Sequence, residues 1–323
     1  MGPAAGAALA EGAARWANPS SVHAEGRAAR AALEEARDRI AAALGWGGEV
    51  VLTGGATEAL GLALRSAGGV ILVSAVEHSA VFGHAPDAVR VAVDGEGRID
   101  LDALAQALAR AGQAPLVALM HANNETGVVQ PVAEALALVR AAGGRLLVDC
   151  AQTAGKRPLP EADMLVVAGH KLGGPPGVGA LLVRDPSALA TFPAGGQERG
   201  LRPGTENLPA VLAFAAALEA VDPAAWETRR ALREMLEARL VAAGGIIAGA
   251  GAERLATIAC IRMAGVEGMT QLMAFDLEGF AVSAGSACSS GRVKASHVLG
   301  AMGWDTRAAG EGVRVSLAPA TTA

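Results

Sequence analysis

Tyrosine is absent from this 323-residue chain, and with five phenylalanines and four tryptophans the aromatics make up only 3% of it. Any flat ring the chain presents to a ligand must therefore come from histidine, tryptophan or phenylalanine. Cysteine is nearly as scarce. Cys150, Cys260 and Cys288 are an odd number at wide spacing, with no CxxC pair and no zinc-type spacing, which argues against a disulfide framework or a thiolate metal centre and fits a reducing cytosol. No metal site is expected. A long basic run is also missing and the net charge is -5, so the Lys/Arg stripe of a nucleic-acid binder is not there. No uninterrupted apolar run is long enough to span a membrane. The opening "MGPAAGAALAEGAARW" carries Glu11 and no basic n-region, unlike a secretory signal. The expectation is a cytoplasmic protein whose partners are small molecules or other proteins, with no nucleic acid and no membrane.

What the chain does have is apolar mass. Hydrophobic residues are 52% of it, and its length exceeds that at which a single core stops growing, so a large domain with a smaller one is expected. Short apolar runs bounded by glycine or polar residues read as strands: "EVVLTGG", "GVILVS", "PLVALMH", "RLLVDC", "MLVVAG" and "GALLV". Between most of them lie helical patterns, "ATEALGLALRSA", "DLDALAQALARA" and "PVAEALALVRAA". Continuous apolar strands with helical crossovers predict an α/β fold with a mostly parallel sheet covered on both faces. A helical stretch from about Leu208 to Ala243, broken near Asp222-Pro223, leads into a second alternating region that reads as a smaller α+β domain. The expected boundaries are 16–221 for the large domain and 222–323 for the small one, with residues 1–15 packed on the latter.

In such sheets ligands bind at the carboxyl ends of the strands, and polar residues collect there. "VDCAQTAGK" puts Asp149 at the end of an apolar run with Gln152 three residues on, and "VEHSAV" puts His78 after another. "HANNETGVVQP" places Asn123, Asn124 and Glu125 after a third, and "GHKLGGPPGVGAL" sets Lys171 between an apolar run and a glycine-rich loop. "GGATEA" is a glycine turn feeding a helix, whose backbone amides at Ala56 and whose Thr57 hydroxyl suit an anion such as phosphate. A buried aspartate costs free energy unless it faces a cation, and a lysine at a strand end does so unless a partner or covalent bond compensates. A phosphate cradle, an aspartate for a pyridinium nitrogen, a stacking ring and a lysine for a Schiff base are together what pyridoxal phosphate needs. A nicotinamide-binding domain would want GxGxxG after its first strand, and "LTGGAT" does not supply it.

These motifs, with "NPSSVHAEGR", "GGQERGLRPGTEN", "SAGSACSSG" and "VRVSLAPATT" in the same order, resemble the cysteine desulfurases of the bacterial iron–sulfur assembly type, within the class-V aminotransferases of the pyridoxal-phosphate fold type I superfamily. The resemblance spans nearly the whole chain and implies a seven-stranded large-domain sheet. It implies Lys171 as the Schiff-base lysine and proton abstractor, Asp149 on the pyridinium nitrogen, Gln152 on the ring oxygen, and His78 stacked on the ring and moving a proton. Ala56, Thr57 and His170 would hold the phosphate, with Thr205 reaching in from the second subunit of a homodimer. Asn124, placed at the cofactor too, would grip the carboxylate of L-cysteine together with Arg314. Cys288 would attack the substrate sulfur, giving alanine and a persulfide that passes to an acceptor protein such as an iron–sulfur scaffold. The small-residue run around Cys288 independently reads as a mobile loop, whereas Cys150 and Cys260 read as buried hydrophobes.

Three departures from the family are visible. The usual opening strand with its "ATT" turn has no counterpart in "MGPAAGAALAEG", the sequence stops at "ATTA", and Ala168 stands where relatives commonly carry a phosphate-binding serine. The alternatives are a selenocysteine lyase, another aminotransferase-fold enzyme that would not need Cys288, and a shortened, non-catalytic homologue serving as a binding module.

Overall fold

The computed structural model describes residues 1–192, 195–285 and 295–322. Strands form where the chain is apolar on both faces. Glu49–Thr53 (β1), Ile71–Ser74 (β2), Val89–Val91 (β3), Leu116–Met120 (β4), Arg145–Asp149 (β5), Met164–Ala168 (β6) and Gly179–Val183 (β7) form one sheet in the order β1-β7-β6-β5-β4-β2-β3. The pairings among β2 to β6 are parallel, and β7 runs antiparallel to both its neighbours. Every residue of β4, β6 and β7 is buried, as a sheet covered on both faces requires. β3, with two of its three residues exposed, is an edge strand that the hydropathy pattern does not reveal.

Helices Pro3–Ala14 (α1), Ala24–Leu44 (α2), Ala56–Arg65 (α3), Ser79–His84 (α4), Leu101–Arg110 (α5), Val132–Ala141 (α6) and Leu208–Glu219 (α7) surround the sheet. The two faces sort by residue parity: Leu165 and Val167 of β6 face Leu33, Ile40, Leu104, Val139 and Phe214 of α2, α5, α6 and α7, whereas Met164 and Val166 face Leu60 and Val81 of α3 and α4. The longest helix, α2, was not singled out from the sequence, although Leu33, Ala36, Ile40 and Leu44 line one buried stripe of it. His23 caps its start, accepting from Gly26 N, and Gly45 at φ 62° ends it.

The rest is a smaller unit. Pro223–Glu227 (α8), Arg230–Ala242 (α9), Gly245–Ile247 (β8), Ile258–Met263 (β9), Gly268–Leu277 (α10), Ser283–Ala284 (β10), His297–Ala301 (α11), Thr306–Gly310 (α12) and Gly312–Ser316 (β11) include a four-stranded antiparallel sheet in the order β10-β11-β9-β8. The break expected at Asp222-Pro223 is there: Asp222 accepts from Ala224 N at 2.9 Å and Pro223 starts α8.

Residues 1–15 do not pack where the sequence reading put them. α1 lies along α7, with Ala5 buried against Ala213 and Ala217, and Gly2 N donates to Gly173 O at 2.7 Å. The alanines allow this close helix contact, so the N-terminal helix belongs to the large unit. Among the described residues no single helix is long and apolar enough to cross a membrane.

One buried ion pair ties the loop after β7 to the sheet edge. Arg37 of α2 donates to both oxygens of Glu198, at 2.6 and 2.9 Å, and to Val50 O at 2.6 Å, while Glu198 also accepts from Leu52 N at 2.8 Å. Glu198 and Arg199 take positive φ there, 46° and 56°, a strained conformation that the buried pair holds in place.

Candidate active site

The parallel strands β2, β4, β5 and β6 end on one edge of the large sheet, and the residues just beyond each of them are polar. β2 leads to Glu77 and His78, β4 to His121, Asn123 and Asn124, β5 ends on Asp149, and β6 leads through a 3-10 turn, Gly169–Lys171, to the lysine. β1 feeds α3 at the same edge. Gly55 (φ 140°) starts that helix without any side-chain cap, so the amides of its first turn, at Ala56 and Thr57, are left for an external acceptor. Gly179 lets β7 pass directly beneath: a Cβ there would lie 2.5 Å from Val167 O and 2.9 Å from Gly55 Cα.

Asp149 lies on the floor of this edge. Its Oδ1 accepts from Ala151 N at 2.8 Å. Burial pushes its pKa up, opposed by that amide and by the charges of His78 and Lys171. His78 caps α4, its Nδ1 accepting from Ala80 N at 3.2 Å, so the neutral ring carries its proton on Nε2. Burial pulls its pKa below the ordinary histidine value, with Lys171 and His297 adding to the effect and Asp149 opposing it. His78, Asp149 and Lys171 thus form one electrostatically coupled group. His170 is exposed beside Lys171, and burial together with the charges of Lys171 and Lys156 lowers its pKa.

The smaller unit contributes Arg314 from β11. Its Nη1 donates to Asn124 O at 2.9 Å and its Nη2 to Ser283 Oγ at 3.0 Å, while Nε is buried with no hydrogen-bond partner among the described residues. The loop beneath is braced by Asn123, whose side chain accepts from Glu125 N and Thr126 N and donates to Val76 O at 3.0 Å. Asn123 is therefore a scaffold residue, and Asn124 is the one beside the arginine.

Other expected residues are placed more loosely. Thr57 is exposed in the first turn of α3. Gln152 lines a small cleft with Lys156, Arg157, Trp226 and Thr257. Thr205 is exposed, and its carbonyl lies 3.5 Å from Arg202 Nη1; Arg202 also donates to Glu58 of α3. Ala168 is buried at the end of β6. Cys288 lies outside the described residues. Cys150 and Cys260 are buried, and burial pushes both thiols up, Cys260 to about 12, so neither supplies a thiolate near neutral pH.

Four polar residues of this region were not picked out from the sequence. Lys156 packs its Nζ 4.4 Å from the Trp226 ring centroid, and burial with the Lys171 charge pulls its pKa to about 8. Glu77 is fully buried. Ser296 Oγ donates to Glu125 Oε2 at 2.5 Å, and His297 Nε2 lies 2.9 Å from Glu77 O. Only the "VEH" placement after a strand could have flagged Glu77, as "NNET" did Glu125; Lys156, Ser296 and His297 carry no local signal.

Comparison with known proteins agrees with this geometry. The family model described as aminotransferase class-V matches residues 11–323. A cysteine desulfurase of Cereibacter sphaeroides is 37% identical over 331 residues, spanning 95% of this chain and 85% of the relative. Among solved structures, a NifS-like protein from Rickettsia africae superposes with a TM-score of 0.89 at 30% identity, covering 100% of this chain and 92% of that one. SspA in complex with cysteine gives 0.82 at 27% identity, covering 99% and 96%. With its motifs in order, its fold shared throughout and its strand-end cluster in place, the chain belongs to the class-V aminotransferase family, among its cysteine desulfurase members.

Proposed function

We propose that this protein is a pyridoxal-phosphate-dependent cysteine desulfurase, converting L-cysteine to alanine and holding the released sulfur on Cys288. One observation carries the reading: Lys171, Asp149 and His78 are coupled at the ends of β6, β5 and β2 on one edge of the sheet, next to a helix start without a side-chain cap. The donor set fits the cofactor. A carboxylate whose burial is compensated only by one amide and nearby cations suits a ring N–H⁺, and the open turn of α3 suits a phosphate. Ala168 offers no hydroxyl to that phosphate, leaving Thr57, His170 and the α3 amides to hold it. When bound, pyridoxal phosphate supplies an electron sink for the substrate α-carbon.

The chain's own residues do the rest. Arg314 and Asn124 hold the substrate carboxylate, which directs the α-hydrogen toward the lysine side of the cleft. The Lys171 amine takes the α-proton, and its position beside Asp149 and His78 keeps a negative and a neutral group at hand. Neutral His78, with its proton on Nε2, can donate there and recover the proton from the reacting group. The Cys288 thiolate attacks the substrate sulfur. The C–S bond breaks with its electron pair left on the three-carbon fragment, protonation of which gives alanine, and the new S–S bond leaves a persulfide. Its outer sulfur then goes to an acceptor protein such as an iron–sulfur scaffold. The reading includes a homodimer in which Thr205 completes the neighbouring phosphate site.

The test is direct. The purified protein with pyridoxal phosphate should absorb in the visible and form alanine from L-cysteine. Cys288→Ala should keep the absorbance and lose nearly all alanine production. A variant that makes alanine at the wild-type rate would show the sulfur chemistry assigned to Cys288 to be wrong.

A further inference from the structure

Glu77 is the most deeply buried carboxyl at the catalytic edge, 1% exposed, and the reaction as derived above does not use it. Its Oε1 accepts from Met120 N at 2.8 Å, at the end of β4, and its Oε2 is buried with no hydrogen-bond partner among the described residues. The backbone around it is pinned at successive atoms: Glu77 N donates to Ser74 O, Asn123 Nδ2 donates to Val76 O, and His297 Nε2 lies 2.9 Å from Glu77 O. The next residue is His78. Among the described residues, the charged group acting on the Glu77 carboxyl is Asp149 from β5, while His297 from α11 meets its backbone carbonyl and His78 follows it in the chain.

An ionised carboxylate with one buried, unpaired oxygen beside a second carboxylate would carry a desolvation penalty and a like-charge penalty together. A protonated carboxyl avoids both and still offers Oε1 to the Met120 amide. Burial is also the first cause that pushes the Glu77 pKa well above the ordinary carboxylate range, with Asp149 adding to it and the Met120 amide opposing it.

We propose that Glu77 is a positioning residue kept as a neutral carboxylic acid, which locks the β2 and β4 strand ends together so that His78 faces Asp149 while Asp149 alone carries negative charge on the floor of the site. Glu77 acts through His78 and Asp149. This rests on the strand-end site and extends the functional reading to a residue that touches neither cofactor nor substrate.

The test uses Glu77→Gln, a neutral isostere that keeps an acceptor for Met120 N, and Glu77→Leu, which removes it. In the cofactor-free protein, infrared spectroscopy should show the C=O stretch of a protonated carboxyl near pH 7, absent from Glu77→Gln. That readout does not depend on turnover, so it stands even if the desulfurase reading fails. In the loaded protein, Glu77→Gln should keep kcat, KM and the pH midpoint of the visible band, with changes below about twofold. Glu77→Leu should lower kcat by about tenfold or more, the expected scale for lost positioning near the chemistry, and should leave KM for cysteine within about twofold. Should Glu77→Leu not fold, the infrared band and Glu77→Gln still decide. A missing protonated-carboxyl band, a shifted pH midpoint in Glu77→Gln, or wild-type kcat in a folded Glu77→Leu would overturn the proposal.

Discussion

Replacing Lys156 with methionine removes an amine that the fold has pulled far from its ordinary behaviour. Burial, and then the neighbouring Lys171 charge, lower the Lys156 pKa from 10.5 to about 8. Below about pH 8 both folded and unfolded chains hold the proton, and the folded state bears the whole cost of a charged, poorly solvated ammonium. Between about pH 8 and 10.5 the unfolded chain keeps a proton that the folded one has released, so stability rises with pH through that window. Each pH unit is worth ~1.4 kcal/mol, which puts the full rise at ~3 kcal/mol. Part of that is offset, since contact with the Trp226 ring favours the charged form by ~0.5–2 kcal/mol. Lys156→Met keeps the apolar stem and does not titrate. In urea unfolding of the cofactor-free protein, the variant should therefore be the more stable form by ~1–3 kcal/mol near neutral pH, and its advantage should shrink steadily toward pH 10.5. Removing the Lys171 charge as well should narrow the window from its lower side. A stability difference that stays constant across the window would refute the reasoning.

Lys171→Ala should abolish the visible absorbance and turnover while far-UV circular dichroism stays unchanged, because Lys171 sits exposed in a 3-10 turn at the edge of the sheet. Arg37→Met strands the buried Glu198 carboxylate and should cost ~3–5 kcal/mol in urea unfolding; a cost below ~1 kcal/mol would mean that the pair does not anchor the loop after β7. Ala168→Ser adds a hydroxyl at the end of β6 and should tighten pyridoxal phosphate by ~1.5–3 kcal/mol, measured as cofactor dissociation, whereas equal affinities would show that another donor already serves the phosphate.

Much of this architecture is legible in the sequence because buried parallel strands are written as unbroken apolar runs. "VALM" and "LLV" carry their own length and burial, and the polar residue after each run marks the catalytic edge, which is how Asp149, His78 and Lys171 stand out. β3 is illegible for the opposite reason: Val89 and Arg90 are exposed, and the strand exists only because β2 offers it an edge. The alanines of residues 1–15 give no clue to which surface they choose, since their small size suits any close helix contact, and only packing on Ala213 and Ala217 decides it. Glu77, Lys156 and His297 owe their properties to distant chain segments. His297 reaches the Glu77 carbonyl across 220 positions of sequence, and no local pattern records such a meeting.

The uncapped start of α3 reaches beyond catalysis. A helix whose first amides wait for an acceptor from outside is less secure without one, and a phosphate ligand that binds only the native form stabilises it by ~2.7 kcal/mol at a hundredfold excess over its Kd. Cellular proteases sample the opened chain, so the abundance of this protein should follow the supply of vitamin B6 even when its gene is transcribed at a constant rate.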